Sequence, residues 1–153
     1  MLQRHFYNKY IKDTPAREMI ELERGMLCKI KPRLMKIIND HAACPDKYVF
    51  LSTKALKHIY DRHIYDKQSP DDFETILNNL IDIIKRPDEL RRNMESKRGD
   101  FLCVKKIKGQ TYFVSIEVIL GGNAEVVSAS ATGEKYLKKF TLLWSWGTAN
   151  SPS

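Results

Sequence analysis

The spacing of apolar residues changes near residue 100, and this change constrains the fold more than any other feature of the chain. Beyond it, FLCVKKI (101–107), TYFVSIEVIL (111–120) and NAEVVSASAT (123–132) follow a period of two, separated by KGQ and by Gly121-Gly122. A period of two with short glycine-containing breaks predicts antiparallel strands joined by hairpins. A fourth strand is predicted at FTLLWSW (140–146), where Trp144 and Trp146 alternate and are interpreted as structural.

Earlier in the chain the pattern is helical. Thr14-Pro15 combines a capping hydroxyl with a proline of the first turn and predicts a helix that ends at Arg24, before Gly25. Residues 26–30 are interpreted as a short strand or a connection, and Pro32 opens a predicted helix that runs to about Asn39.

Two further helices are predicted between residues 48 and 87. After the short apolar run YVFL (48–51), Ser52 caps a helix from Thr53 to about Tyr65. Ser69-Pro70 begins a long helix with acidic residues in its first turn, where the helix dipole favours them. Its predicted buried face comprises Phe73, Ile76, Leu77, Leu80, Ile81 and Ile84.

Helices first and antiparallel strands last indicate an α+β fold, with N-terminal helices packed on a four-stranded antiparallel sheet. We expect residues 1–47 to form a helical extension packed on the core, residues 48–146 to form the main domain, and residues 147–153 to be a flexible tail. The polar N-terminus and the absence of a long apolar run predict a cytoplasmic protein without a membrane partner.

Charge is distributed unevenly along the 153-residue chain, whose formal net charge is +7. Residues 85–108 hold nine Lys and Arg against four Asp and Glu, whereas residues 48–84 hold four against six. A basic stretch of this kind indicates a polyanionic partner such as RNA, or else a solvated lysine-rich surface. Three widely spaced cysteines predict packed, reduced thiols rather than a zinc site, and no metal or cofactor is expected.

The hairpin across Gly121-Gly122 allows a register to be predicted. Ser115 should pair with Ser128, Phe113 with Ser130, and Glu117 with Val126. If KGQ is a three-residue loop, Lys105 lies beside Phe113. The opposite face would be the core, with Tyr112, Val114, Ile116, Val118, Val127, Ala129 and Ala131. The face with the serines is then either solvent surface, as is common for antiparallel sheets, or a site.

LKHIYDRHIY (56–65) carries two of the four histidines. Leu56, Ile59, Tyr60 and His63 follow helical spacing, so His63 lies on the inward stripe near the helix end, while His58 and Arg62 share another face. Such a histidine is either a hydrogen-bonded core residue or a group that transfers protons near neutral pH.

Several pieces of the chain resemble phage-type members of the BECR nucleases, a superfamily named for its barnase, EndoU, colicin and RelE-like members. The pieces are STKALKHIYDRH (52–63), IIKRPDEL (83–90), FLCVKKIKGQTYFVSIEV (101–118) and VVSASATGEKYLKK (126–139). The resemblance covers residues 48–146 and implies a helical layer on a four-stranded antiparallel sheet, with metal-independent ribonuclease activity, often as a toxin.

Metal-free RNA cleavage needs a proton acceptor for the ribose 2′-hydroxyl, a proton donor for the leaving oxygen, and cations for the phosphorane charge. The sequence suggests a role for each candidate. His63 is the candidate acid or base, and Glu117 is a second proton-transfer group by similarity to barnase-like members. The candidate phosphate clamps are Lys105 and Arg62, with His58 beside Arg62. The candidates that orient a phosphate oxygen are Ser128, Ser130 and Thr132. The last two, Lys97 and Arg98, are interpreted as charges of a substrate groove or simply as an exposed basic turn.

Other functions fit the same sequence. A non-catalytic nucleic-acid binder would use the same basic surface, and a protein-interaction module would present it to an acidic antitoxin or immunity protein. An ADP-ribosyl-type transferase using Glu117 lacks any accompanying nicotinamide-site motif. The sequence leaves the oligomeric state and the RNA target undetermined.

Overall fold

The computed structural model describes residues 1–43, 46–95, 100–119 and 122–146. The helices are α1 (Leu2–Phe6, continued by a π-helical turn, Tyr7–Ile11), α2 (Pro32–His41), α3 (Thr53–Asp61, continued by a π-helical turn, Arg62–Asp66), α4 (Pro70–Lys85) and α5 (Glu134–Leu137). The strands are β1 (Arg24–Lys29), β2 (Tyr48–Ser52), β3 (Glu89–Arg92), β4 (Phe101–Ile107), β5 (Gln110–Val118), β6 (Ala124–Thr132) and β7 (Thr141–Ser145).

Within the described residues the strands form one sheet of seven, in the order β1-β2-β6-β5-β4-β3-β7. The α+β class is confirmed, but the expected count of four strands is wrong. Neighbouring strands are antiparallel except β2 and β6, which pair in parallel. The missed strand β3 reads ELRR, in which Leu90 is fully buried between charged neighbours. A single apolar residue is too few to reveal a period of two.

The helix predicted from Thr14 to Arg24 is absent, because tertiary contacts replace its hydrogen bonds. Asp13 and Arg17 have φ values of 62° and 60°, which a right-handed helix does not allow. The Nζ atom of buried Lys57 donates to Pro15 O at 2.7 Å and to Thr14 Oγ1 at 2.8 Å. Pro15 O, which would accept from Met19 N in an α-helix, accepts instead from the lysine on α3 and, at 3.3 Å, from Glu18 N in a single turn.

The central hairpins settle which side chains share a face. Ser115 pairs with Ser128 and Phe113 with Ser130, as predicted. A β-bulge then leaves Val127 unpaired, so Glu117 lies opposite Glu125 rather than Val126, and Val126 rather than Val127 is buried in the core.

The turn between β4 and β5 corrects the placement of Lys105. Lys108 and Gly109 have φ values of 50° and 84° and form a two-residue turn, with Ile107 opposite Gln110. Lys105 consequently pairs with Tyr112 and does not lie beside Phe113. The expectation rested on a three-residue loop, and a change of one residue in loop length reverses the face of every preceding side chain.

Both faces of the sheet are covered. The long helix α4 packs on one face and buries Phe73, Ile76, Leu77, Leu80 and Ile84 as predicted, together with Ile83; Ile81 is only partly buried. On the other face a smaller apolar cluster forms between the strands and the α5 region, so the face expected to be polar is largely closed. The cluster comprises Leu102, Val104, Phe113, Leu137 and Phe140.

Residues 24–29 belong to the same sheet as the later strands, because β1 pairs with β2 along its length. Whether residues 1–47 act as a separate element stays a prediction, and the tail at 147–153 lies outside the described residues. The longest helix, α4, has 16 residues, and among the described residues no helix is both long and apolar enough to cross a bilayer.

Replacing Ser52 by alanine tests the local origin of α3, the helix that carries His63. The Ser52 hydroxyl accepts a hydrogen bond from Ala55 N at 3.0 Å and caps the helix. We expect Ser52→Ala to lower the free energy of unfolding by about 1 kcal/mol, measured by urea denaturation. Ser52→Thr keeps an acceptor oxygen and should retain most of the stability; equal losses in both variants would contradict the capping role.

Candidate active site

His63 lies in the π-helical turn that extends α3. Lys67 N bonds to Arg62 O at 2.9 Å and closes a five-residue step where an α-helix would close a four-residue one. Such turns are rare and occur frequently at functional sites. The His63 ring is 0% exposed, and its Nδ1 lies 2.8 Å from Ile59 O. Because a carbonyl only accepts, Nδ1 carries the proton in the neutral ring and Nε2 carries the lone pair.

The Nε2 atom of His63 is buried and has no hydrogen-bond partner among the described residues. Burial lowers the pKa of the ring, the hydrogen bond to Ile59 opposes this shift, and the positive charge of Lys67 adds to it. The imidazole is therefore neutral at about pH 7, with Nε2 unprotonated.

Lys67 connects this turn to the sheet. Its Nζ atom donates to Ser130 Oγ at 2.6 Å, and Ser130 Oγ in turn donates to Ala131 O at 2.9 Å. Burial lowers the pKa of Lys67, and the neighbouring Arg62 guanidinium lowers it further. An ammonium group thus stands between the histidine-bearing turn and the hydroxyl of β6.

Asp72, in the first turn of α4, provides the negative charge of the cluster. Tyr112 OH donates to Oδ1 at 2.8 Å, and Ser69 Oγ donates to Oδ2 at 2.6 Å. Burial raises the pKa of Asp72, but these two hydrogen bonds, the positive charge of Lys67 and the charge that His63 carries once it is protonated at low pH outweigh burial and hold the pKa below its usual value. The carboxylate is ionised and fixed in place.

A surface cavity of about 440 Å³ adjoins the cluster and gives it an opening to solvent. Arg62 and Lys67 line it, with His58 on the neighbouring turn of α3 as the helical spacing predicted. Its carboxylates are already engaged: Lys57 and Arg17 N bond to Asp61, and Arg17 forms an ion pair with Asp66. The cations that face the cavity are therefore suited to an anionic group such as phosphate.

The structure separates Lys105 from the other candidates. Its Nζ donates to Arg86 O at 2.7 Å, beyond the C-terminal end of α4, whereas Asp72 lies in the first turn of that helix. Fourteen residues of helix correspond to roughly 20 Å. Lys105 and His63 therefore do not meet in one cleft.

The remaining candidates have different settings. Ser128 and Thr132 flank Ser130 on the same face of β6 and are half-buried; Thr132 Oγ1 donates to Gly133 O at 3.3 Å. Glu117 is exposed near the far end of β5. The two groove charges, Lys97 and Arg98, lie outside the described residues. Their proposed roles stay predictions.

Sequence reasoning missed Lys67, Ser69, Asp72 and Tyr112. Lys67 follows His63 at helical spacing, a signal that the presumed end of the helix at Tyr65 obscured. Ser69 and Asp72 were interpreted only as a helix start, and Tyr112 only as a core residue. Each of these local interpretations is correct, but none shows that the polar groups of Ser69, Asp72 and Tyr112 meet.

Comparison with protein families supplies the remaining observation. The family model PBECR3, described as phage-Barnase-EndoU-ColicinE5/D-RelE like nuclease3, matches residues 29–132, from the end of β1 to the end of β6. The chain belongs to this nuclease family. The PBECR3 match contains His63, Lys67, Asp72, Tyr112 and Ser130, so these residues all lie inside the matched region. No curated protein and no solved structure matches the chain.

The buried imidazole predicts how stability depends on pH. Unfolded His63 takes up a proton near its ordinary pKa of 6.5, while the folded ring stays neutral to lower pH. Its contribution is therefore complete above about pH 6.5 and is lost as the pH falls toward the folded pKa. When the pH falls from about 7.5 to about 5.5, the free energy of unfolding measured by urea denaturation should decrease more for wild type than for His63→Gln. Equal losses would show that the ring titrates normally in the folded protein.

Proposed function

We propose that this BECR-family nuclease is a metal-independent endoribonuclease whose reaction takes place at the cluster of His63, Lys67, Asp72, Tyr112 and Ser130, hereafter the His63 cluster. The observation that carries the proposal is the lone pair of His63 Nε2, which is buried beside Lys67 and has no hydrogen-bond partner in the described part of the chain. Membership of the nuclease family supports the reaction class.

An unsatisfied buried nitrogen is costly, at about 1–3 kcal/mol. Natural cores satisfy the great majority of such atoms, and the exceptions need an explanation such as catalysis. Here the same ring is kept neutral by burial, which is the state that a general base requires near neutral pH. A purely structural histidine would be expected to use both ring nitrogens.

The proposed reaction is transesterification at phosphorus. The 2′-hydroxyl loses its proton to His63 Nε2, its oxygen bonds to phosphorus, and the bond from phosphorus to the 5′-oxygen breaks. Lys67 donates a proton to the leaving 5′-oxygen, since its lowered pKa makes it a better acid than an ordinary lysine. Arg62, at the cavity wall, neutralises charge on the phosphate.

RNA must gain access to a ring that is 0% exposed. We place the required movement in the turn at residues 67–69, which joins the π-helical turn to α4. Gln68 there has a φ of 51°, a conformation that costs an L-residue about 1–2 kcal/mol. When Lys67 exchanges Ser130 for a phosphate oxygen, this turn can move and uncover Nε2.

Metal independence is part of the proposal. Within residues 1–43, 46–95, 100–119 and 122–146, no group of three or more His, Cys, Asp or Glu side chains is arranged to hold a metal ion. The positive charge beside the cavity comes instead from Arg62 and Lys67. These cations can stabilise the transition state without a divalent ion.

Cleavage of mixed single-stranded RNAs in excess EDTA tests the proposal. Wild type should produce fragments. His63→Gln should lower the rate by roughly 10²–10⁴-fold as a lost general base, and Lys67→Met should lower it by roughly the same factor as a lost general acid. Lys54→Met, an exposed residue on α3, serves as the matched control and should cleave normally.

Cleavage by His63→Gln at the wild-type rate would remove the general base from the mechanism. A wild-type protein that cuts RNA only after a divalent metal is added would refute metal independence and leave the nuclease assignment in place.

The full burial of His63 favours a second candidate, a nucleic-acid-binding protein without catalysis. It predicts salt-dependent RNA binding by wild type, because phosphate contacts release counterions, with no fragments at any protein concentration. The cleavage assay therefore separates the two functions directly.

We further propose that the nuclease acts in the cytoplasm as a toxin restrained by an acidic antitoxin or immunity protein. The net charge of +7 supports such a partner. Induced expression in a bacterial host should arrest growth and degrade cellular RNA, whereas His63→Gln at equal protein level should do neither. Growth arrest by both proteins would show that toxicity does not depend on the proposed chemistry.

A further inference from the structure

We propose that the chain holds a second nucleic-acid site, a pocket that binds single-stranded RNA away from the His63 cluster. The tryptophan pocket is a cavity of about 550 Å³ between the start of α2, the end of α4 and the end of β7. The proposal takes RNA as the polymer from the proposed function, and in that respect rests on it. The residues on which it depends are Lys31, Arg33, Lys85, Lys105, Trp144 and Trp146.

Trp146 supplies a stacking surface. Its side chain is 69% exposed, whereas Trp144, two residues earlier, is 5% exposed. The ring centroids lie 6.1 Å apart at 57°, and Trp146 N donates to Asp88 O at 2.7 Å, which fixes the backbone beneath the exposed indole. An indole held at the rim of a cavity offers its face to a base, and every base has a face that can stack.

Trp144 adds a hydrogen-bond donor that lacks an acceptor. Its Nε1 atom is buried and has no hydrogen-bond partner among the described residues, although buried indole N–H groups usually find one. The side chain lines the tryptophan pocket. An oxygen of a bound base or phosphate would provide the acceptor.

The cations at the pocket are available to a ligand. In the part of the chain that the structure describes, Lys31, Arg33 and Lys85 have no carboxylate within 4.0 Å, the distance that defines the ion pairs seen elsewhere. Lys105 is more constrained, with Asp82 and Asp88 each 3.9 Å from its Nζ. Three cations that have no carboxylate neighbour among the described residues, placed beside an exposed indole, are the combination that single-stranded nucleic acid requires.

The basic surface continues beyond the pocket. A shallow neighbouring cavity shares Lys31 and Lys85 with it and adds Lys29, Lys36 and Lys47 to its walls. A mononucleotide would leave this extension empty, whereas a polymer would place successive phosphates along it. The continuous lysine surface therefore points to an oligonucleotide.

The two sites lie at opposite ends of α4, with Asp72 in the first turn and Lys85 in the last. Its 16 residues span roughly 24 Å, a distance that a stacked strand covers in about seven nucleotides. A strand of about 12 nucleotides can reach both sites, and the tryptophan pocket then holds sequence that flanks the cleaved bond.

Fluorescence anisotropy with a mixed-sequence 2′-O-methyl RNA of about 12 nucleotides tests the pocket, because methylation of the 2′-oxygen prevents cleavage. Trp146→Ala should weaken binding about tenfold, while Trp146→Phe should retain most of the affinity. The matched control is Leu142→Ala, an exposed position on β7 outside the pocket, which should bind normally. Tryptophan emission should be quenched by the RNA in wild type and much less in Trp146→Phe, where the remaining indole is buried.

Charge variants test the phosphate contacts. Lys31→Gln combined with Arg33→Gln should reduce the slope of log K against log salt by about 1.4, or about 0.7 for each lost contact. Lys12→Gln combined with Lys54→Gln removes the same charge from exposed positions outside the pocket and should leave the slope near that of wild type. Equal slopes in the two pairs would overturn the proposal, because binding would then reflect net charge alone.

Two other outcomes are decisive. Wild-type affinity in Trp146→Ala refutes the pocket whatever the cleavage assay shows, and intact binding without any cleavage refutes only the proposed function. Absence of RNA binding together with tight binding of a polyglutamate peptide would assign the surface to an acidic protein and also refute the RNA site.

Discussion

The parallel pairing of β2 with β6 is the contact on which the candidate site depends. It is short, joining Val49 to Ala124 and Phe50 to Glu125. Because α3 follows β2 directly, this pairing sets α3 and its π-helical turn alongside the rest of β6, where Lys67 reaches Ser130. His63 and Ser130 are 67 positions apart in sequence, so without this pairing the histidine-bearing turn and the serine-rich strand would have no fixed position relative to each other.

Two buried polar residues, Lys57 on α3 and His63 in the π-helical turn that follows it, differ in how fully their polar atoms are hydrogen-bonded. The ammonium of Lys57 is satisfied by Thr14 Oγ1, Pro15 O and Asp61 Oδ1, all within 2.8 Å. Those bonds hold the segment after α1 against α3 and offset the cost of burying the charge. His63 Nδ1 bonds to Ile59 O, whereas His63 Nε2 has no hydrogen-bond partner among the described residues. The hydrogen-bonding groups of buried Lys57 are thus satisfied, whereas those of buried His63 are only partly satisfied among the described residues.

The number of cations in a stretch of sequence does not show which of them can contact a partner, because some are held by contacts within the protein. Within the basic stretch 85–108, Arg91 bonds to Glu89 and to the carbonyls of Leu137 and Phe140, which fixes the α5 region to β3. Among the described residues, the cations that have no carboxylate within 4.0 Å include Lys31 and Arg33 at the start of α2 and Lys85 at the end of α4. A local charge count therefore predicts a polyanionic partner, but it does not indicate which surface would contact one.

The sequence by itself determined the α+β class, the central hairpins and the amphipathic character of α3 and α4, because these follow from local periodicity, caps and turns. It also placed His63 on the buried stripe of α3, which the structure confirms. Only the tertiary structure decided the strand order, the parallel β2–β6 contact, the loss of the helix after Thr14 and the separation of Lys105 from His63. These features depend on contacts between distant residues and on single-residue changes in loop length and bulge position, which local patterns do not record. The convergence of Lys67, Asp72 and Tyr112 near His63 has the same origin, since each residue also fits an ordinary local role.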